Sequence, residues 1–245
     1  MNVSIVITAY NYAHYLEKCL DSCLNQVGAD LLYEVIVVDD GSTDETPDVL
    51  NRWTDPKLKK FRIQNSGIER ASNFGFEKAV GKYIVRVDAD DWLLPNYLIE
   101  MLTEVKDSNS GFLYPDYQVV GGDGNVIENM DLPEFSPEEI FRRGDFLATG
   151  TLFDAAVLRE CGAYSTAITN SGLENYELIL KLIKKGIQGK HVPRRLFAYR
   201  RHALNLSESK KEQIISNGRV LFLRMGWGTY MTNAYHPYKL KLEAA

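Results

Sequence analysis

Three apolar runs alternate with helical patterns in the N-terminal part of this chain. The runs VSIVIT (3–8), EVIVV (34–38) and YIVRV (83–87) are rich in β-branched residues, which is typical of buried strands. A weaker strand pattern at 59–64 and an amphipathic helix pattern at 68–80 complete the series. Because alternating strands and helices form right-handed βαβ units, the sequence predicts an α/β fold with a mostly parallel central sheet flanked by helices.

The C-terminal half is less regular. Glycines at 121–125 predict a hairpin, and the run 191–199 predicts an edge strand because Pro193 interrupts it. Residues 207–225 predict a long final helix, and the tail beyond them is aromatic and irregular. Gly81 follows the amphipathic helix pattern at a position where glycine commonly ends a helix.

Charge and composition exclude several classes of protein. The 245 residues carry a net charge of −5, whereas nucleic-acid binders usually have a basic balance, so no nucleic-acid partner is expected. No apolar run reaches about 18 residues, and the N-terminus lacks the basic segment of a signal peptide. The three cysteines give no disulfide framework. We therefore expect a cytoplasmic protein, and association with the inner face of the membrane stays open.

Polar clusters follow the three strong strands at the point where each strand ends. They comprise Thr8 to Asn11, Asp39 to Ser42, and Asp88 to Asp91. Since ligands of parallel α/β sheets bind outside the carboxyl ends of the strands, these clusters predict a binding site.

The last of these clusters places Asp88, Asp90 and Asp91 beside the apolar residues 92–94. Carboxylates this close repel one another, and burying them without a partner is costly. A divalent cation, Mg²⁺ or Mn²⁺, would offset the cost, since these ions take one or two protein carboxylates together with substrate phosphates. The chain has no Gly-x-Gly-x-x-Gly after its first strand and no Walker loop, which argues against a dinucleotide-dependent dehydrogenase and a P-loop NTPase.

Four motifs in this order resemble the family 2 inverting glycosyltransferases, which have the GT-A fold with a Rossmann-like sheet. The motifs are VSIVITAYN (3–11), EVIVVDDGSTDET (34–46), NSGIERASNFG (65–75) and YIVRVDADDWLLP (83–95), with weaker similarity at 151–164, 173–182 and 199–207. The resemblance implies a nucleotide-sugar-binding half at 1–115 and a smaller, irregular acceptor-binding half of the same domain at 116–205. A C-terminal helix and tail would occupy 206–245.

The resemblance also implies a set of donor-binding residues, most of them at the predicted strand ends. They would bind the base, ribose and diphosphate of a nucleotide-sugar, with a UDP-sugar the commonest case: Thr8, Ala9, Tyr10, Asp39, Arg70, Asn73, Asp88, Ala89 and Asp90. For Arg70 and Asn73, a solvated helix face is the alternative.

The metal and the general base follow from the same resemblance. Asp90, Asp91 and His202 would hold or support Mn²⁺ or Mg²⁺, although a lone histidine in a basic stretch is also consistent with plain surface. The base that takes the acceptor's proton is expected at Glu174. Asn175 stands where the family commonly has a second acid, and an amide cannot act as a base.

Two alternative functions remain open at this stage. Asn175 is consistent with a nucleotide-sugar-binding protein without transferase activity, and a sugar-phosphate nucleotidyltransferase would share the α/β plan and the metal. The expected acceptor is a saccharide or a lipid-linked saccharide, bound around 114–116 and 148–153. The aromatic tail leaves contact with a membrane surface or with a second subunit open.

Overall fold

The computed structural model describes residues 3–28, 33–106, 108–144, 147, 149–228, 230, 232–236 and 238. The strands are β1 (Val3–Ala9), β2 (Tyr33–Asp39), β3 (Leu58–Arg62), β4 (Tyr83–Asp88), β5 (Trp92–Leu93), β6 (Phe112–Val120), β7 (Val126–Met130), β8 (Leu152–Asp154) and β9 (Gly189–Arg200). The helices are α1 (Ala13–Leu24), α2 (Thr46–Arg52), α3 (Ile68–Lys78), α4 (Tyr97–Lys106), α5 (Pro137–Arg143), α6 (Ala155–Glu160), α7 (Glu174–Lys184), α8 (Leu206–Ser209) and α9 (Lys211–Met225).

One mixed sheet runs through the described residues, in the order β3-β2-β1-β4-β8-β6-β9-β5, with β7 paired to β6. Strands β3, β2, β1 and β4 are mutually parallel, whereas β8 pairs antiparallel with both β4 and β6. The α/β fold with a mostly parallel first half is therefore as predicted. The predicted boundary at residue 115 falls within β6, which belongs to this same sheet.

Helices α1 and α3 cover the parallel strands with the apolar faces that the sequence predicts. The buried face of α1 consists of residues with helical spacing: Leu16, Cys19, Leu20, Cys23 and Leu24. On α3, a Cβ atom at Gly75 would stand 2.4 Å from Val6 Cγ1 of β1. Only glycine allows this close contact between helix and sheet.

Two local predictions need correction. Among the described residues, β9 pairs only with β6 around Pro193, as expected for an edge strand, but at Phe197 and Ala198 it also pairs with β5. Pro193 is tolerated because the β6–β9 register shifts there, with Pro115 opposite Val192 and Asp116 opposite Arg195, so it lies in a bulge. Helix α3 ends at Lys78 instead of reaching Gly81, whose amide donates to Ser4 Oγ at 2.9 Å.

The predicted final helix is divided into α8 and α9 at Lys210. In the part of the chain that the structure describes, no helix is both long and apolar enough to cross a membrane.

Candidate active site

The three polar clusters meet at one edge of the sheet, as the sequence predicts. In the register of the parallel strands, Thr8 lies opposite Asp88 and Ala9 lies opposite Asp39. A cavity of about 970 Å³ opens at this edge. It is lined by seven of the predicted site residues, namely Thr8, Ala9, Tyr10, Asp88, Ala89, Asp90 and Glu174. Five others do not line it: Asp39, Arg70, Asn73, Asp91 and His202.

Asp39 lies beneath the cavity wall, and its neighbour Asp40 is in the wall. The Oδ1 atom of Asp39 accepts from Ser42 N at 2.8 Å. Its buried Oδ2 lies 3.4 Å from Arg62 Nη1 in an ion pair and has no hydrogen-bond partner among the described residues. Burial raises the pKa of Asp40, and the charge of Asp39 raises it further. The hydrogen bonds that the Asp40 carboxylate accepts lower this pKa but do not cancel the rise. Sequence reasoning selected the first acid of this pair and missed the second.

The two residues predicted on α3 have other surroundings. Arg70 is exposed. The amide of Asn73 bonds twice to the backbone of Tyr164, through Nδ2 to the carbonyl at 2.8 Å and through Oδ1 from the N–H at 3.0 Å. Asn73 therefore joins α3 to the loop before α7, and its contact with a donor stays a prediction.

The acidic turn, which comprises residues 88–91 at the end of β4, holds its three carboxylates in different surroundings. Burial raises the pKa of Asp88 to about 6, with Asp90 and Glu174 adding to the rise and Arg86 opposing it. Asp91 is 1% exposed, and its Oδ1 accepts from Arg200 N at 2.8 Å. Burial, and then the neighbouring Asp90 and Asp88, raise the pKa of Asp91. The turn therefore presents Asp88 and Asp90 to the cavity and turns Asp91 inward.

Asp90 is bonded to the segment that follows β9. Its Oδ2 lies 2.9 Å from His202 Nε2 and accepts from Asn205 Nδ2 at 3.1 Å. The imidazole of His202 packs against two aromatic rings, 4.9 Å from Tyr15 and 5.8 Å from Tyr12 between centroids. The structure thus places His202 beside the acidic turn. His202 contacts Asp90 there and does not itself line the cavity.

The described residues contain no cluster of three or more histidine, cysteine or acidic side chains arranged around a metal position. The pair Asp90 and His202 nevertheless offers one carboxylate and one imidazole, which are ligand types that Mn²⁺ accepts. Mg²⁺ and Mn²⁺ sites at nucleotides need few protein ligands, since phosphate oxygens and water complete the shell. These donor atoms fit such an ion when a diphosphate is bound.

Arg200 also contacts the acidic turn, although it is not among the site residues that the sequence predicts. Its Nε donates to Asp90 O at 2.8 Å and its Nη1 to Gly122 O at 2.7 Å. Its guanidinium lies between the rings of Tyr15, at 4.4 Å, and Trp92, at 4.8 Å. Arg200 therefore fixes the acidic turn from below, whereas Arg194 forms exposed ion pairs with α4.

Arg86 and Glu174 are paired at the base of the cavity. Arg86 Nη1 donates to Glu174 Oε1 at 2.9 Å, and Nη2 donates to Asp88 Oδ2 at 2.9 Å. The second oxygen of Glu174, Oε2, is buried with no hydrogen-bond partner among the described residues. Asn175 accepts from the Tyr164 hydroxyl. The sequence contains a signal for Arg86, since it is a charged residue within the apolar run YIVRV. The sequence analysis nevertheless did not predict Arg86 as a site residue.

The C-terminal segment contributes another part of the cavity wall. Tyr230, Ala234, Tyr235, His236 and Tyr238 line it, beside Arg143 of α5 and Ile214 of α9. The Tyr230 hydroxyl lies 2.6 Å from His236 Nε2, and Asn233 N donates to Arg142 O at 2.8 Å. The aromatic tail, as far as the structure describes it, thus packs on the protein's own site. Of the predicted acceptor region 148–153, residue 148 lies outside the described residues.

Comparison with known proteins defines the class. The model of Glycosyl transferase family 2 matches residues 4–161. The chain is 41% identical over 142 residues to a chondroitin synthase from Pasteurella multocida, covering 56% of this chain and 14% of that protein. It is 32% identical over 212 residues to a chondroitin synthase from Escherichia coli, covering 85% of this chain and 30% of that protein. The chain therefore belongs to glycosyltransferase family 2, which confirms the predicted family.

The fold also agrees with solved glycosyltransferase structures. TarS 1–349 from S. aureus in complex with UDP-GlcNAc superimposes with a TM-score of 0.75 at 18% identity, covering 92% of this chain and 66% of that one. GalNAc-T7 with UDP, GalNAc and Mn²⁺ gives a TM-score of 0.67 at 19% identity, covering 82% of this chain and 44% of that one. The predicted GT-A fold is confirmed. The chain spans less than a third of the length of the chondroitin synthases it matches.

Proposed function

We propose that this protein transfers a sugar from a UDP-sugar to the hydroxyl of a saccharide acceptor, by direct displacement with inversion at the anomeric carbon. The observation that carries the proposal is the shared cavity of about 970 Å³, in which the acidic turn and Glu174 line one space. Direct displacement needs this arrangement, with the leaving group held on one side and a base on the other. The TarS complex with UDP-GlcNAc supports the choice of donor.

The donor is proposed to bind along the ends of β1, β2 and β4. Thr8, Ala9 and Tyr10 would form one wall of the base pocket. Asp39 would accept an N–H of the base through Oδ2, which has no hydrogen-bond partner among the described residues. Asp88 would contact the ribose. Arg70 and Asn73 remain proposed donor contacts of α3 that the cavity wall does not include.

The diphosphate is proposed to bind with Mn²⁺ or Mg²⁺ at the acidic turn. Asp90 and His202 would hold the ion, and Asp91 would support the turn through the hydrogen bond from Arg200 N. A cation bound there would stabilise the negative charge of the departing diphosphate. GalNAc-T7, whose structure contains UDP and Mn²⁺, supports the use of a divalent ion.

Glu174 is the proposed general base. It lines the cavity and is 7% exposed, and its buried Oε2 has no hydrogen-bond partner among the described residues. This oxygen is proposed to accept from the acceptor hydroxyl. Asn175 cannot take a proton, and its side chain is already bonded to Tyr164.

The acceptor is proposed to bind where the C-terminal aromatic residues line the cavity. Tyrosine and histidine rings present flat apolar faces with polar edges, which suit a sugar ring. Tyr235 is 69% exposed, and the Arg143 guanidinium carbon lies 4.8 Å from its ring.

A turnover assay tests this function. The protein with Mn²⁺ would be incubated with UDP-GlcNAc, UDP-GalNAc, UDP-glucose and UDP-glucuronate, each with chondroitin and hyaluronan oligosaccharides as acceptors. Release of UDP with a new β-linked sugar, seen by NMR, is expected for an α-linked donor. Tight UDP binding without turnover on any pair would instead favour the sugar-nucleotide-binding protein, for which Asn175 is the specific observation.

A further inference from the structure

Arg86 lies at the centre of the buried polar groups below the cavity. It occupies β4 between the fully buried Val85 and Val87, and its side chain is 4% exposed. Burial lowers the pKa of this guanidinium, but the neighbouring acids, Asp88 foremost, outweigh burial and raise it. A buried arginine is stable only when its charge is paired, and here both Asp88 and Glu174 lie at hydrogen-bond distance.

The pairing with Arg86 engages one oxygen of Glu174, whereas the other oxygen makes no hydrogen bond among the described residues. Oε1 accepts from Arg86 Nη1 at 2.9 Å, whereas Oε2 is buried without a hydrogen-bond partner among the described residues. A glutamate without such a contact could rotate about its last bond and offer either oxygen. The contact with Arg86 removes this freedom.

The backbone of Arg86 is anchored by hydrogen bonds from the segment before β8. Thr149 Oγ1 donates to Arg86 O at 3.0 Å and accepts from Asp88 N at 3.0 Å, and Gly150 N donates to Arg86 O at 3.0 Å. The ring of Tyr164 lies 5.5 Å from the guanidinium carbon. A side chain that is anchored at its backbone and paired through both terminal nitrogens can define the geometry of the group it binds.

We propose that Arg86 is a positioning residue for the transfer: it holds Glu174 so that Oε2 receives the proton of the acceptor hydroxyl, and it ties this orientation to Asp88 on the donor side. The inference rests on the proposed function. Arg86 touches neither acceptor nor anomeric carbon in this account, and it acts through the two carboxylates that it binds, Glu174 and Asp88. The proton goes from the acceptor oxygen to Oε2 as that oxygen forms its bond to the anomeric carbon and the bond to the diphosphate breaks.

Arg86→Lys is the main test, since lysine keeps the buried charge but cannot bridge two carboxylates as a planar fork does. Arg86→Met would be made alongside, although its unpaired acids could prevent folding. Arg224→Met is the matched control, because Arg224 of α9 pairs at 2.6 Å with Glu177, which lies on α7 as Glu174 does. Neither Arg224 nor Glu177 lines the cavity. Each variant would be tested for turnover of the UDP-sugar and for UDP binding with Mn²⁺, and Arg86→Lys would be crystallised.

In Arg86→Lys, we expect kcat to fall about 100-fold, as for a misplaced catalytic group. The Kd for UDP should stay within about twofold, the pattern of an interaction that matters only in the transition state. The crystal structure should show the Glu174 carboxylate turned or displaced, and Arg224→Met should retain normal kcat. Unchanged kcat in Arg86→Lys, or a Glu174 carboxylate that stays in place, would overturn the inference. If the unaltered protein neither binds UDP nor turns it over, the proposed function fails, and the position of Glu174 in the variant still decides whether Arg86 orients it.

Discussion

His202 Nε2 lies 2.9 Å from Asp90 Oδ2 and so joins the end of β9 to the acidic turn after β4. The two residues are buried together, and Asn205 donates to the same carboxylate oxygen. In the proposed function these donor atoms share the cation, so changes to His202 should act on metal-dependent donor binding.

His202→Ala is expected to raise the Kd for UDP measured with Mn²⁺ by about 10- to 100-fold, the usual effect of losing a group that ligates or orients a metal site. Titration calorimetry with and without Mn²⁺ measures this. His14→Ala is the control, since His14 is exposed and does not line the cavity. An unchanged Kd for His202→Ala would remove His202 from the metal site.

Glu174→Gln should lower the rate of sugar transfer by about 10²- to 10⁴-fold, because glutamine keeps the shape but cannot accept the proton. UDP binding should be preserved, which calorimetry on the same sample checks. Glu177→Gln, one turn further along α7, should retain normal turnover. Full activity in Glu174→Gln would show that another group is the base.

Asn175→Asp addresses the position at which the family resemblance implies a second acid. Since the Tyr164 hydroxyl can donate to an aspartate as it does to Asn175 Oδ1, the variant should fold. With Glu174 as the base, the new acid should bring no gain in turnover of a UDP-sugar. A large gain would place the base at 175 and mark the present chain as impaired.

Stability should fall in mild acid because of His236. Burial lowers the pKa of His236 to about 4, below its value in an unfolded chain. Between pH about 6.5 and about 4 the unfolded state therefore binds more protons, and stability decreases with falling pH by at most about 1.4 kcal/mol per unit from this group. Thermal melts of the unaltered protein and of His236→Phe over this range measure it. The variant should lose less stability between these pH values, and identical pH dependence would contradict the assignment.

Gly75→Ala should destabilise the fold by about 1–3 kcal/mol, since a Cβ atom there would collide with Val6 Cγ1. Denaturant titration gives the free energy of unfolding. Gly122→Ala is a suitable control, because its Cβ would meet only the Tyr15 hydroxyl, at 3.8 Å. Equal stability of the two variants would mean that α3 can move away from the sheet.

The first half of the fold could be predicted from the sequence because its signals are local. The apolar strands and the stripe on α1 follow from residue spacing, and the convergence of Thr8, Asp39 and Asp88 follows from parallel pairing. The second neighbour of β9 was missed because the pairing with β5 depends on contacts far apart in the chain. The bulge at Pro193 could not be predicted from the local sequence pattern either, because it depends on the pairing with β6.

The parts of the site that sequence analysis missed depend on tertiary contacts. In the sequence, Arg200 is one of several neighbouring arginines, and only the fold shows that it lies below the acidic turn. Tyr230 lines the cavity because the C-terminal segment packs on Phe222 of α9. Arg86 was the exception, since a charge in an apolar strand was visible in the sequence. Its partner Glu174, however, is 88 positions away.

The central claim is that the acidic turn binds a nucleotide diphosphate through a divalent cation, and titration calorimetry tests it most directly. UDP, GDP, dTDP and CDP would be titrated into the protein with and without Mn²⁺, and UDP into Asp90→Ala as well. We expect UDP to bind tightly only with Mn²⁺, and this binding to be lost in Asp90→Ala while the variant remains folded. Binding of none of the four nucleotides to the folded protein, or equal UDP binding by Asp90→Ala, would contradict the account.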